Sequence, residues 1–256
     1  MSLNAHPGSF FILILIFLAI SSFVGVLYSR IPNSETIMGR SRCDSCGHEI
    51  SIRDNIPLIS WIALRGRCRF CGEKITPIYA GIEIICTILL LIVTFHSSSL
   101  LEALTWILFV ALGVALSAID IKLHRLPDAL TGASALSLLL LIIAQSIANS
   151  DSAIIFSAII TGTIVFTCFF LLRVISRGGM GLGDVKFSFS TGLLTGSYST
   201  TTTIVSLYAT FIASGIVALW LILRKKGNSK SRIPLGPYLF AGVVVSYLLT
   251  TSSHLP

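Results

Sequence analysis

Eight apolar stretches, roughly 10–28, 78–96, 101–119, 127–147, 153–172, 184–198, 203–223 and 235–250, take up most of this chain. Each reaches or approaches the ~20 residues that a helix needs to cross a bilayer. The sixth is the weakest, since it carries Ser188, Ser190, Thr191, Gly192, Thr195 and Gly196. Small and weakly polar residues of that kind suit a helix packed inside a bundle, away from lipid. Charged residues make up 11% of the chain and hydrophobic residues 54%, whereas a soluble domain carries about 25% charge. The expected fold class is therefore all-α: a polytopic membrane helix bundle of about eight transmembrane helices. No basic segment precedes the first run, so it is expected to stay as a span rather than to be a cleaved signal.

The basic residues orient the bundle. Arg30, Arg40, Arg42, Arg53, Arg65, Arg67, Arg69 and Lys74 lie in the loop 29–77. Lys122 and Arg125 follow the third run, Arg173 and Arg177 the fifth, and Arg224, Lys225, Lys226, Lys230 and Arg232 the seventh; Lys186 opens the sixth. These are all 18 Lys and Arg, and eight crossings put every one of them on the same side. The other connections hold Glu102, Asp151 and runs of Ser and Thr. The positive-inside rule then places both termini outside and the basic loops in the cytoplasm. A net charge of +7 suggests nucleic acid at first sight, but the charge sits only at span edges, so no nucleic-acid partner is expected; the lipid bilayer is.

This division gives a first helix over 1–28, a cytoplasmic loop over 29–77 and a seven-helix membrane region over 78–256. The loop is too short to build a core unaided. It holds Cys43-Asp-Ser-Cys46 and Cys68-Arg-Phe-Cys71, 21 residues apart. Two CxxC pairs at that distance resemble a zinc knuckle, in which four thiolates bind one tetrahedral Zn²⁺ and the metal supplies folding energy. Gly47 and Gly72 let each knuckle turn tightly. A reducing cytoplasm argues against two disulfides, and four thiolates leave no open position for catalysis, so the zinc is structural. Four free thiols are the plainer alternative, and His48 is an alternative ligand. Cys86 and Cys168, inside apolar runs, read as buried small hydrophobes. Between the pairs, Asn55-Ile-Pro-Leu-Ile-Ser-Trp61 is amphipathic; it lies at headgroup level, packs on the bundle, or is an ordinary packing segment.

Two acids end apolar runs at matching depth. Asp120 closes the third, and Asp184 follows the run Gly178-Gly-Met-Gly-Leu-Gly183 at the start of the sixth. Ionised carboxylates at a span edge are costly and need a reason. Brought within a few ångströms, two carboxyls cannot both ionise; one acts as acid while the other acts as base, and together they activate water against a peptide carbonyl. Gly179, Gly181 and Gly183 allow close approach to Asp184 and a mobile loop. Lys186 supplies charge balance beside Asp184. Asp128 reads as the first-turn acid of the fourth span, where negative charge suits a helix N-terminus. Glu83, about a turn inside the second span, is placed to pair with a loop arginine. Asp151 and Glu102 read as ordinary loop charges on the other face. His124 is alone in its short connection, His6 and His96 lie on the far side, His254 is in the tail, and no Ser-centred nucleophile motif is present.

With these residues in place, the chain resembles the bacterial type IV prepilin leader peptidases, the bifunctional family that cleaves prepilins and N-methylates the new amino terminus. The resemblance rests on Ser22-Phe23 through Arg30-Ile-Pro32, the two CxxC pairs, Asn55–Trp61, Leu64-Arg-Gly-Arg-Cys68 with Tyr79 and Glu83, Asp120 with Leu126-Pro-Asp128, Gly179–Lys186 and Ile233-Pro-Leu-Gly-Pro237. It implies that Asp120 and Asp184 are the catalytic pair of an intramembrane aspartyl protease in the bacterial inner membrane. It also implies prepilin or pseudopilin precursors as substrates, cut at the cytoplasmic boundary after the glycine of a short basic leader, and S-adenosylmethionine as methyl donor. The chain departs from the family at Ser21-Ser-Phe-Val-Gly25, where the family usually has Gly-Ser-Phe-x-Asn, and at Arg40 and Arg42, where it tends to have proline. The first departure bears on methyl transfer more than on proteolysis, because methylation in the family depends on the amino-terminal half. No GxGxxG signature marks a donor site, so its residues are not assigned.

Two other classes use similar parts. An ion-coupled transporter also carries intramembrane acids, but at the midplane and within inverted repeats, neither of which is seen here. A non-enzymatic secretion or pilus assembly protein would use the knuckle as a docking module, and only activity separates it from an enzyme with intact motifs.

Overall fold

The computed structural model describes residues 7–177, 179–224 and 234–251. Gly178, Lys225, Lys226, Lys230, Arg232, Ile233, His6 and His254, all named above, lie outside the described residues. Among the described residues the regular structure is helical, and β pairing is limited to two isolated bridges. The chain forms two compact units, residues 1–95 and 96–256.

In the first unit, α1 (Pro7–Arg30) and α3 (Ile78–His96) flank a loop containing the short α2 (Ile59–Ala63). Phe17 and Val24 on α1 and Cys86, Leu90 and Val93 on α3 are buried. The Thr87 hydroxyl donates to Ser21 Oγ at 3.1 Å, so the serine that departs from the family pattern has a buried partner. Tyr28 and Tyr79 meet edge to face at 5.9 Å. A Cβ at Gly25 would sit 3.6 Å from Tyr79, an ordinary contact.

Among the described residues no arginine pairs with Glu83. Its Oε2 accepts from the backbone N–H of Leu58 at 2.8 Å. Leu58, the residue preceding α2, stands at φ +59°, a conformation that costs a bulky residue about 1–3 kcal/mol and persists only where neighbours over-determine it. The loop arginines pair elsewhere, Arg40 and Arg42 with Glu49 and Arg69 with Asp54.

The second unit holds α4 (Leu100–Leu123), α5 (Asp128–Ala148), α6 (Ala153–Ile175), α7 (Leu182–Gly196), α8 (Thr200–Leu223) and α9 (Gly236–Thr251). The small-residue helix α7 is central, touching α5, α6, α8 and α9, and it is buried at nearly every position from Asp184 to Gly196. Glycine makes this possible. A Cβ at Gly192 would come 2.8 Å from the Gly162 Cα on α6, and one at Gly196 would come 2.5 Å from Thr161. Helices that approach this closely are held by dispersion contacts between bare backbones. On the other side, Gly113 of α4 receives the Phe240 ring and Gly242 of α9 receives Thr210 of α8.

Helices occupy all eight apolar stretches, but among the described residues six are long and apolar enough to cross a membrane: α1, α3, α4, α5, α6 and α8. At about 1.5 Å per residue, α7 and α9 reach only about 22–24 Å of a roughly 30 Å hydrocarbon core. The reason is compositional: α7 holds polar and small residues that suit protein neighbours better than lipid. Cys86 is buried as expected, whereas Cys168 is exposed on α6. A weakly polar thiol suits the outer face of an apolar helix as well as its inner face.

At the start of α4 lies a polar cluster that the sequence reading missed. Glu102 Oε1 accepts from the hydroxyls of Tyr198 and Tyr247 at 3.0 and 3.1 Å, and its Oε2 accepts from the Ser98 N–H at 2.8 Å. Trp106 donates to Tyr198 at 2.8 Å and stacks on Tyr247 at 4.0 Å. Glu102 is the hub joining α4, the α7–α8 corner and α9, not an ordinary loop charge.

Candidate active site

Asp120 lies one turn before the end of α4, in a run where Ala115, Leu116 and Ile119 are fully buried. The helix stops at His124, whose left-handed φ of 51° turns its N–H back onto the Asp120 carbonyl at 2.8 Å. Leu126 then tucks inward and Pro127 precedes α5. This tight exit keeps the Asp120 side chain inside the bundle, at 3% exposure.

Asp184 is the third residue of α7. The preceding glycine loop is tied to α6, with the Arg173 guanidinium donating to the Met180 carbonyl and the Gly179 N–H to the Ser176 carbonyl. Gly181 precedes the helix with extended backbone and lies against the Asp184 carboxylate, so that a Cβ there would stand 2.8 Å from Oδ2. Asp184 is 9% exposed, and its Oδ1 has no hydrogen-bond partner among the described residues.

A third element completes the site. The Gly236 N–H, at the first residue of α9, donates to Asp120 Oδ2 at 2.9 Å. A Cβ at Gly236 would stand 3.0 Å from that oxygen and 3.3 Å from Leu126, while a Cβ at Gly183 would stand 2.6 Å from Leu126. Leu126 therefore sits between the starts of α7 and α9, beside both acids, and Asp120 and Asp184 are within electrostatic reach of each other. The helix N-terminus is a natural donor for a carboxylate. Gly236 was not singled out from sequence because a backbone donor leaves no side-chain signature; the flanking Pro234 and Pro237 were the available signal.

The supporting residues divide. Gly181 lies against Asp184 and Gly183 against Leu126, each with no room for a side chain. Lys186 is not beside Asp184: its ammonium binds Asp128 Oδ1 at 2.7 Å, joining the first turns of α7 and α5. Asp128 is exposed and in the first turn of α5, apart from the buried pair.

In the first unit the four sulfurs of Cys43, Cys46, Cys68 and Cys71 lie within 4.8 Å of one another. Two thiolates on a tetrahedral ion at about 2.3 Å stand about 3.8 Å apart, and Cys43 and Cys71 are 3.9 Å apart. None is in a disulfide, so the donor set fits a metal. Both knuckles are built alike. Cys43 N–H bonds the His48 carbonyl and Gly47 N–H the Cys43 carbonyl; Cys68 does the same with Glu73 and Gly72. Gly47 and Gly72 stand at φ +69° and +72°, where only glycine is unstrained. The N–H groups of Cys71 and Phe70 bring the Cys68 thiol down to about 7, which readies it for a cation. The His48 ring lies tilted against Phe70, centroids 3.5 Å apart, and is not among the clustered donors.

Two family models match the chain, the bacterial peptidase A24 N-terminal domain over residues 15–97 and the type IV leader peptidase family over residues 106–223. A prepilin leader peptidase/N-methyltransferase of Stutzerimonas stutzeri is 31% identical over 205 residues, covering 78% of this chain and 68% of the relative. A type 4 prepilin-like proteins leader peptide-processing enzyme of Escherichia coli O78:H11 is 29% identical over 235 residues, covering 90% and 82%. A third relative, the prepilin leader peptidase/N-methyltransferase of Aeromonas hydrophila, is 30% identical over 214 residues, covering 81% and 71%. No solved structure matches the chain. With one model on each unit and relatives along most of its length, the chain belongs to the type IV leader peptidase family.

Proposed function

We propose that this protein is a membrane aspartyl endopeptidase of the bacterial inner membrane, which removes the leader of type IV prepilin or pseudopilin precursors at the cytoplasmic face and N-methylates the amino terminus it exposes. The observation that carries the reading is the buried pair Asp120 and Asp184, brought from α4 and α7 to one end of the second unit. Both acids lie within about a turn of a helix end, which favours an enzyme at the membrane edge over a transporter with acids at the midplane.

In the catalytic cycle one carboxyl holds a proton while the other is ionised. Asp120, held by the Gly236 N–H, which stabilises a carboxylate, takes a proton from a water directed at the scissile carbonyl and passes it to the leaving amine. Asp184 holds the proton of the pair, donates it to the carbonyl oxygen and recovers it as the tetrahedral intermediate collapses. The glycine loop 179–183 leaves room for the extended backbone of the substrate at the cut.

The four thiolates hold Zn²⁺ as a structural ion that orders the loop between α1 and α3. For S-adenosylmethionine the first unit offers a cavity of 230 Å³ between α1 and the loop. Phe23 and Val26 form its apolar wall, and Arg40, Ser41 and Asn55 its polar side. An aromatic base and a carboxylate on one ligand match those two surfaces, so these residues would hold the donor, which supplies the methyl group.

Asp120→Asn and Asp184→Asn should each insert and fold normally yet lose about 10²–10⁴-fold in leader cleavage, the range of general acid–base catalysis. Asp128→Asn should cleave. The assay separates precursor from mature substrate by gel mobility, fixes the cut by mass spectrometry, and includes labelled S-adenosylmethionine to count methyl groups on the product. Near-normal cleavage by Asp120→Asn overturns the pair. Cleaved but unmethylated product at saturating donor makes the chain a peptidase alone.

A further inference from the structure

Among the described residues, the segment joining the two knuckles leaves an apolar face exposed. Ile56, Ile59 and Ile62 fall at spacings of three along α2 and its approach, with 43%, 58% and 68% of their surface exposed. The opposite side of the same segment is firmly seated. Ser60 is buried and its hydroxyl donates to the Arg53 carbonyl at 3.0 Å, while the Trp61 ring lies against Gly66. Three isoleucines facing outward from so ordered a segment are not a frayed end.

The depth of this face is fixed by α3, one of the helices long and apolar enough to span. Glu83 is the sixth residue of α3, about 7–8 Å along its axis, and it holds the Leu58 N–H directly. The start of α2 is therefore level with the second turn of a spanning helix. On α3 itself Ile84, Ile85 and Ile88 are likewise exposed. Arg53 and Arg65, both exposed, flank the segment in sequence and bring positive charge to it.

We propose that residues 56–62 are an interfacial anchor, with Ile56, Ile59 and Ile62 inserted at the headgroup–acyl boundary of an anionic leaflet and held there by the metal knuckle. An apolar face flanked by arginines is the pattern that binds in the plane of such a leaflet. The link to the knuckle is Arg69, which lies between Cys68 and Cys71. Its guanidinium forms a two-point pair with Asp54, Nε to Oδ2 at 2.8 Å and Nη2 to Oδ1 at 2.6 Å, and Ser51 donates to the same carboxylate at 2.9 Å. Paired geometry of this kind fixes orientation as well as distance. The knuckle thus positions the turn that leads into α2 from one end, and Glu83 positions α2 itself from the other.

The test uses the full chain in phosphatidylglycerol-containing vesicles doped with a lipid that carries a diazirine in its acyl chain. Irradiation should label the peptide spanning 56–62 as well as the spans. Asp54→Asn and Arg69→Gln, with metal content measured alongside, should lose most of that label while the spans are labelled as before. Glu83→Leu, which leaves the knuckle untouched, should do the same. Chelation of the metal should also reduce the label on 56–62. Label confined to the spans in the wild-type protein overturns the anchor, and unchanged label in all three variants overturns its support by the knuckle. A benzophenone placed at position 59 should capture lipid; capture of a precursor protein in its place overturns the lipid assignment and makes this face a substrate surface.

Discussion

At the scale of single residues, the glycines around Asp184 have different jobs, and the difference can be measured. Gly181 has ordinary extended backbone, so alanine is allowed there, but its Cβ would stand 2.8 Å from Asp184 Oδ2. The carboxylate must move. Gly181→Ala should keep its thermal stability within a few degrees and lose about 10²-fold in cleavage rate, the scale of a 1 Å misplacement. At Gly183 the added Cβ would instead meet Leu126 at 2.6 Å and its backbone at 3.1 Å. That clash unseats the start of α7 from the α4–α5 connection, so Gly183→Ala should destabilise by about 1–3 kcal/mol as an overpacked core does, with activity lost in proportion to folded protein. A cleavage assay beside a melting curve on both variants checks the contrast; equal loss of stability in both would remove the distinction. The two acids were legible in the sequence because a carboxylate at the edge of an apolar run is conspicuous. Gly236 and Glu102 were not. A backbone N–H has no residue-type signature, and the partners of Glu102 lie 96 and 145 residues away, a proximity that no local pattern encodes.

Among the elements, the four-cysteine loop is the one that cannot stand alone. It holds a short, largely exposed helix, two isolated bridges and no apolar core of its own, so a metal supplies what burial does not. Its two halves repeat a pattern, Arg42-Cys-x-x-Cys-Gly47 and Arg67-Cys-x-x-Cys-Gly72, with the bridges Arg42–Glu49 and Arg67–Lys74 at the same offset. Spacing alone was enough to read this element, because four thiolates at knuckle distance have few other uses. Purified protein should contain about one zinc per chain. Cys68→Ser should lose it together with protection of the loop from protease, while the second unit keeps its melting behaviour. Elemental analysis and limited proteolysis make the check. Full occupancy in the variant would show that Cys68 is not a ligand, and loss of cleavage on metal removal from a loop that stays folded would give the ion a catalytic part.

At the scale of the whole molecule, the number of crossings turns on α7. Its 15 residues are too few to cover the hydrocarbon core alone, yet it need not do so. Its surface is buried against α5, α6, α8 and α9, and backbone that is enclosed by protein escapes the length rule that lipid imposes. The charge pattern supplies an independent constraint. Arg173 lies in the last turn of α6 and Arg177 follows it, and Arg224 follows α8. If α7 crosses, all three lie on one side with Lys122 and Arg125; if it does not, α8 reverses and Arg224 lands on the opposite face from the other basic residues. The positive-inside rule favours the crossing, with α7 as a short, protein-sheathed span that leaves Asp184 recessed by several ångströms from the lipid–water boundary. Single reporter cysteines at 150, 177 and 224, in a background that retains the four knuckle cysteines, decide between the two arrangements in intact cells. A membrane-impermeant thiol reagent should reach 150 from outside, and 177 and 224 only after the membrane is opened. Reaction at 224 from outside, with 177 still protected, would show that α7 turns back within the bundle and would reduce the crossings by one.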